Sequence, residues 1–375
     1  MCSNSTTTIT SPKSRSTPTW SRSRTSWARS FEMRAARLLP DTDSLAVLDV
    51  PEPEPAGDQV LVRVVGAGVC RSDIHVLDGA FADMISRPVT PGHEIAGVVE
   101  AIGSDVSDLD VGTPVAVMVG WGCGHCGACV GGHEQLCPSG DEAGATVDGG
   151  FAELVLVPHR RHVVPLGDVS PYDATPFGCA ALCSYAAVKR VAPFLSGQST
   201  LVILGAGGLG LYATHYARTL TGARVVAVDP RPEARDLALS AGAHDSIPSG
   251  ADAASALTEL TAGRGAEAVV DFVGTDETLG LAAATVAARG IVALLGLAGG
   301  HIAFGFEALA PEAALTTVVA GTVLDLHDVV RLAQRDAFSM PLSPYPLDGI
   351  NEALSDLRAG RINGRAIVLP GGQPA

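Results

Sequence analysis

Four of the chain's eight cysteines fall within residues 123–137, CGHCGACVGGHEQLC. Cys123, Cys126, Cys129 and Cys137 are spaced C-x2-C-x2-C-x7-C. Two-residue gaps let a tight loop aim neighbouring thiolates at one centre, so the set reads as a metal site and not as two disulfides of a chain in a reducing compartment. Four thiolates leave no open coordination position, the pattern of structural tetrahedral zinc. Ferredoxin runs also open with C-x2-C-x2-C, but they close after three residues, and seven intervene here before Cys137-Pro138. A DNA-reading finger is opposed by the net charge of −15. With four thiolates in hand, His125 and His133 are expected at the surface. The cluster predicts a zinc-stapled loop and is silent about a reaction.

Residues 200–210, TLVILGAGGLG, end an apolar run in Gly205-x-Gly207-Gly208-x-Gly210. A helix-like stretch, LYATHYARTLTG, follows, and a second apolar run, RVVAVD, ends in Asp229. Strand, glycine loop, helix, strand and acid in that order form the dinucleotide fingerprint. The glycines give a tight turn, backbone approach to a pyrophosphate and close helix–strand packing, and the helix N-terminus faces the anion. Asp229 should accept from the adenosine ribose diol and repel a 2′-phosphate, which favours NAD over NADP. Arg231 could hold that phosphate, but beside Pro230 and Pro232 it is expected to be solvated.

A third group of residues lies in GVCRSDIHVLDG (68–79) and PGHEIAGVVEAIG (91–103). Cys70 and His93 are soft and borderline metal ligands. Ser72, Asp73, His75 and Glu94 add proton-handling groups beside them. A further thiol comes from PFGCAALCSYAAVKR (176–190), where Cys179 and Cys183 stand at helical spacing, so spacing does not choose between them.

Elements that alternate along the chain must position these groups. The runs AVVDFVG (268–274), IVALLG (291–296) and TTVVAG (316–321) are separated by alanine-rich helical segments such as DETLGLAAATVAA. That alternation predicts a parallel sheet covered on both faces, within an α/β fold. Hydrophobic residues make up 47% and charged ones 17%, and the longest apolar runs are broken by glycine, so no membrane span is expected. Residues 1–32 hold five basic residues and one acid among many Ser and Thr. They read as a disordered extension, either a transit peptide or an over-long start before Met33, and the second reading is preferred. No apolar leader is present, so an intracellular, cytoplasmic protein is expected.

From Met33 to about Pro370 the chain resembles the zinc-containing medium-chain alcohol dehydrogenases. The match rests on GVCRSD-x-H, GHE at 92–94, the four-cysteine lobe, P-x-x-CA at 176–180, GAGGLG and GRAIV at 364–368. The resemblance implies two zinc ions per subunit and a nicotinamide cofactor. It implies Cys70, His93 and Cys179 as ligands of a catalytic zinc, with Cys183 a small core residue. Asp73 would orient His93. Glu94 would stand beside the zinc, or ligate it as in polyol-dehydrogenase relatives. Cys123, Cys126, Cys129 and Cys137 would hold structural zinc. Ser72 and His75 would relay the alcohol's proton to water, and Arg71 and Arg365 would contact the pyrophosphate.

The implied architecture is a GroES-like catalytic domain over 33–178 with the zinc lobe at 121–138. A Rossmann domain follows over 179–322, and a segment from 323 to 375 returns to the catalytic domain. A small alcohol, ketone or aldehyde would react in the cleft between the domains. Phe81, Trp121 and Leu297 are candidate pocket walls, suited to secondary or aromatic alcohols. Relatives suggest a homotetramer or homodimer, with TTVVAG pairing across copies. Two other readings remain open: a polyol or amino-alcohol dehydrogenase with Glu94 on zinc, and a non-catalytic zinc- and nucleotide-binding redox sensor. Neither a nucleic acid nor a membrane is an expected partner.

Overall fold

The computed structural model describes residues 32–80, 82–336 and 338–372. The expectations for the N-terminal extension before Glu32, and for Phe81, lie outside the described residues.

The half expected to bind the cofactor, called the cofactor half below, is a six-stranded sheet in which every pair is parallel. Its order is Asp245–Ile247, Arg224–Val228, Thr200–Leu204, Ala266–Asp271, Val286–Leu294, Ala314–Thr317. Chain order reverses direction between Thr200–Leu204 and Ala266–Asp271, and ligands of such sheets bind outside the strand ends at that point. All five residues of Thr200–Leu204 are buried, as expected of a strand covered on both faces. The helix expected across DETLGLAAATVAA ends at Thr285, and Val286 already opens the next strand. The run TTVVAG leaves the sheet at Thr317 and turns toward the helix Val323–Arg335.

The half expected to be catalytic, called the catalytic half below, is a seven-stranded mixed sheet. Val60–Gly68 pairs antiparallel with Glu94–Ile102, with Gly68 opposite Glu94. Cys70 lies two residues beyond Gly68 and His93 one residue before Glu94, at the same end of the pair, so register brings them together. Arg365–Leu369 pairs with the same strand, Ile367 opposite Gly68, and carries Arg365 to the same end. Gly68 is required there, since a Cβ would lie 2.1 Å from a Glu94 carboxylate oxygen.

The chain crosses between the halves twice. A 3-10 turn, Thr175–Gly178, packs on the strand Pro114–Val117 and hands over to the helix Ala180–Val191, with Cys179 at the junction. Val323–Arg335 packs on that helix through Lys189–Asp325 (2.7 Å) and Tyr185–Asp328 (3.1 Å). The return to the catalytic sheet follows it, through Leu342–Pro346, the helix Ile350–Arg358 and Arg365–Leu369.

Candidate active site

Ligating atoms of Cys70, His93, Glu94 and Cys179 all lie within 4.8 Å of one another, and all four residues are buried. Tetrahedral zinc with bonds near 2.3 Å separates its ligands by about 3.8 Å, so the donor set fits a zinc ion. Asp73 serves two groups with its two oxygens. Oδ2 accepts from the Cys70 N–H (2.7 Å), closing the start of the short helix Arg71–Leu77, and Oδ1 stands 3.4 Å from His93 Nδ1. Nε2 of His93 is thereby turned to the cluster, and the Ser72 hydroxyl lies 3.3 Å from it.

Burial opposes charge on His93, but Asp73 holds the ring well above its ordinary pKa. Hydrogen bonding from Cys179 holds Cys70 well below the usual thiol range. The neighbouring Cys183 thiol pushes Cys179 up. Glu94 is fully buried and accepts from Nε and Nη2 of Arg365, itself 5% exposed. Burial raises the Glu94 carboxyl, and Arg365 opposes the rise.

Cys183 is the group that sequence reasoning undervalued. Its sulfur lies 3.8 Å from Cys179 Sγ, and the three thiols Cys70, Cys179 and Cys183 form one cluster walled by Leu209, Leu295 and Ala320. The four-residue interval from Cys179 was the available signal. Leu209 sits inside the glycine loop, so the metal cluster and the loop share a wall.

In that loop Gly205 adopts φ +89°, and a Cβ on Gly210 would lie 1.9 Å from the Gly205 carbonyl oxygen. Gly207 faces open space, while Gly208 is approached by the Arg365 guanidinium. Asp229 accepts from the Ala206 N–H through Oδ2 and from the Arg231 N–H through Oδ1, each at 2.9 Å. Together with Gly205, Ser249 and Thr278 it lines a cavity of about 190 Å³.

Away from this cleft, the ligating sulfurs of Cys123, Cys126, Cys129 and Cys137 also lie within 4.8 Å of one another. Cys126–Cys137 is 3.7 Å and Cys123–Cys129 is 4.0 Å, again the edges of a zinc tetrahedron. The Cys123 N–H points at Cys137 Sγ and holds that thiol down at about 6. His125 and His133 are exposed.

Residues 56–168 match the family described as alcohol dehydrogenase GroES-like domain, and residues 208–335 match zinc-binding dehydrogenase. An NAD-dependent alcohol dehydrogenase of Sulfurisphaera tokodaii is 35% identical over 353 residues, covering 90% of this chain and 100% of that protein. The chain belongs to the zinc-containing medium-chain alcohol dehydrogenases. A D-arabinose 1-dehydrogenase (NADP(+)) of Saccharolobus solfataricus is 34% identical, covering 90% of this chain and 97% of its own. The crystal structure of the alcohol dehydrogenase from Aeropyrum pernix superposes with a TM-score of 0.85 at 32% identity, over 90% of this chain and all of that one.

The dehydrogenase departs from one expectation about a single residue. Arg231 is not free in solvent: its guanidinium donates to the carbonyls of Gly360 (3.3 Å) and Ile362 (3.1 Å), because the returning segment passes over the end of its strand. Trp121 is 5% exposed in the core of the catalytic half, its indole N–H donating to Met118 O at 2.8 Å. Leu297 is 58% exposed, since the chain has left the sheet by that point. Arg71 is exposed at the first position of its helix, and His75, one turn beyond Ser72, is half-buried.

Proposed function

We propose that the protein catalyses reversible hydride transfer between a secondary or aromatic alcohol and NAD, with Cys70, His93 and Cys179 holding the catalytic zinc. The observation that carries this reading is the buried Cys70–His93–Cys179 cluster, which shares Leu209 with the glycine loop. Zinc held there would supply Lewis acidity, and NAD the hydride acceptor. An alcohol holds its hydride until its hydroxyl proton is lost. The Ser72 hydroxyl, beside the ligating edge of His93, is the group to take that proton. His75, partly exposed one turn further on, passes it to water. Asp73 keeps His93 in one orientation. With NAD bound, Asp229 would receive the ribose diol, and Arg365, beside Gly208, would be the cation available to the pyrophosphate.

Arg231 is tied to two carbonyls, which supports NAD over a 2′-phosphate ligand. A second zinc, structural and held in the four-cysteine lobe, cytoplasmic residence and assembly as a homodimer or homotetramer through the outer strand Ala314–Thr317 complete the proposal. Among the described residues no helix is long and apolar enough to cross a membrane.

A second reading has one observation in its favour. A Glu94 carboxylate oxygen lies within the metal-ligand group, and a relative acts on a sugar. Glu94 would have to leave Arg365 to ligate zinc, so the first reading is preferred. NADH appearance from the purified protein across isopropanol, benzyl alcohol, ethanol and sorbitol separates the two. Turnover of isopropanol or benzyl alcohol, abolished by a zinc chelator, is expected. Turnover of sorbitol alone would put Glu94 on the metal, and NAD binding without turnover would leave the non-catalytic reading.

A further inference from the structure

The zinc lobe is tied to the start of the linking helix Val323–Arg335 by a carboxylate. Glu134 opens the turn Glu134–Leu136 that delivers Cys137 to the lobe, and the Cys137 N–H donates to the Glu134 carbonyl at 3.1 Å. A Cβ on Gly122 would lie 2.8 Å from both Cys129 Sγ and Glu134 Cβ, so the base of Glu134 is packed into the cluster. Its side chain accepts from the Val323 N–H, 189 residues away in the sequence. Val323 begins the helix Val323–Arg335, and its N–H belongs to the first turn, which has no partner within the helix. Thr322 and Asp325 form a capping box around a neighbouring donor. Glu134 thus places negative charge on the positive end of that helix.

The backbone just before this helix forms part of the reaction site. Ala320 adopts φ +47°, a conformation that a side-chain-bearing residue keeps only where its surroundings impose it. Upstream, the Val318 N–H donates to Leu294 O at 2.9 Å. At Gly321 a Cβ would lie 2.6 Å from Leu182 Cδ1. Downstream, the helix start is held by Glu134. Ala320 then packs with Leu209 and Leu295 against Cys70, Cys179 and Cys183, where a nicotinamide ring must meet the metal ligands.

We infer that Glu134 is a positioning residue for the hydride-transfer site: through Val323 it fixes Ala320, so the distant zinc lobe sets the shape of the nicotinamide subsite. This rests on the cofactor reading above. The test substitutes Val323→Pro, which deletes the donor and leaves every lobe residue unaltered. Proline suits the first helical position, and Thr322, at φ −87° and ψ 165°, already has the extended backbone that proline requires before it. Calorimetric titration with NADH and with ADP-ribose, which lacks nicotinamide, is run on the wild type, Val323→Pro, Glu134→Ala and the double variant. NADH affinity is expected to fall by about tenfold in each variant, the size of one charge-assisted hydrogen bond, with ADP-ribose affinity kept and the double variant no worse than either single one. Unchanged NADH affinity in Val323→Pro overturns the inference. So does equal weakening of both ligands, the mark of general loosening. A wild type that binds neither removes the cofactor reading, and the inference with it.

Discussion

Asp73 and Cys179 show how single side chains join structure to chemistry. One oxygen of Asp73 closes a helix start, and the other steers the ring of His93. Cys179 is the thiol that the cofactor half contributes to a cluster otherwise built on the catalytic sheet. Its neighbour Cys183, 3.8 Å away, is the nearest substitute. Cys179→Ala is expected to lower bound zinc by one ion per chain and kcat/KM by roughly a thousandfold, the loss of several kcal/mol of charge stabilisation. Metal analysis beside steady-state kinetics checks this. Full zinc with full activity would mean that Cys179 is not a ligand, and full zinc with low activity would point to Cys183 taking its place.

Among the elements, the glycine loop has the least tolerance. Gly210 lets the helix Gly208–Leu220 press onto the Gly205 carbonyl, and the 1.9 Å separation at a built Cβ leaves no room for a methyl group. Relief would require backbone movement, since the obstructing atom is itself main chain. Gly210→Ala is expected to cost about 3 kcal/mol of stability and to lower NADH affinity at least as much as it lowers stability. Urea unfolding and fluorescence titration measure the two, and an unchanged NADH affinity would show that the loop does not cradle the cofactor. Zinc content should not move, because no metal ligand lies on that helix.

At the scale of the whole molecule, His162 makes one contribution to acid lability. It is 2% exposed, its ring stacks beside Trp121, and it accepts from Arg161 Nε at 3.3 Å, which requires the neutral imidazole. Burial, then the charges of Arg161 and His159, hold it down at about 3. The unfolded chain binds that proton near pH 6.5 and the folded one does not. The stabilisation is therefore complete above about pH 6.5 and is lost as pH falls toward 3, by about 2 kcal/mol at pH 5. Urea midpoints from pH 7 to 5 should decline in the wild type and decline less steeply in His162→Gln. Equal slopes would assign the acid lability to other groups.

The chemistry that local spacing can carry was legible in the sequence. Fifteen residues hold all four lobe thiols, and eleven hold the strand end and the glycine loop, because a loop or turn of that length sets its own backbone geometry. The apolar runs likewise announced a parallel sheet, though they placed the ends of the helix Asp276–Thr285 and of the strand Ala314–Thr317 wrongly by a few residues, since hydrophobicity does not change where hydrogen bonding does. Long-range packing decided the rest. Trp121 and Leu297 were apolar and well placed in sequence, yet one entered the core and the other the surface, because side-chain direction is set by neighbours far along the chain. Arg365 meets Glu94 across 271 residues and Val323 meets Glu134 across 189. Such pairings depend on strand register and on the return path of the C-terminal segment, which no local stretch of sequence encodes.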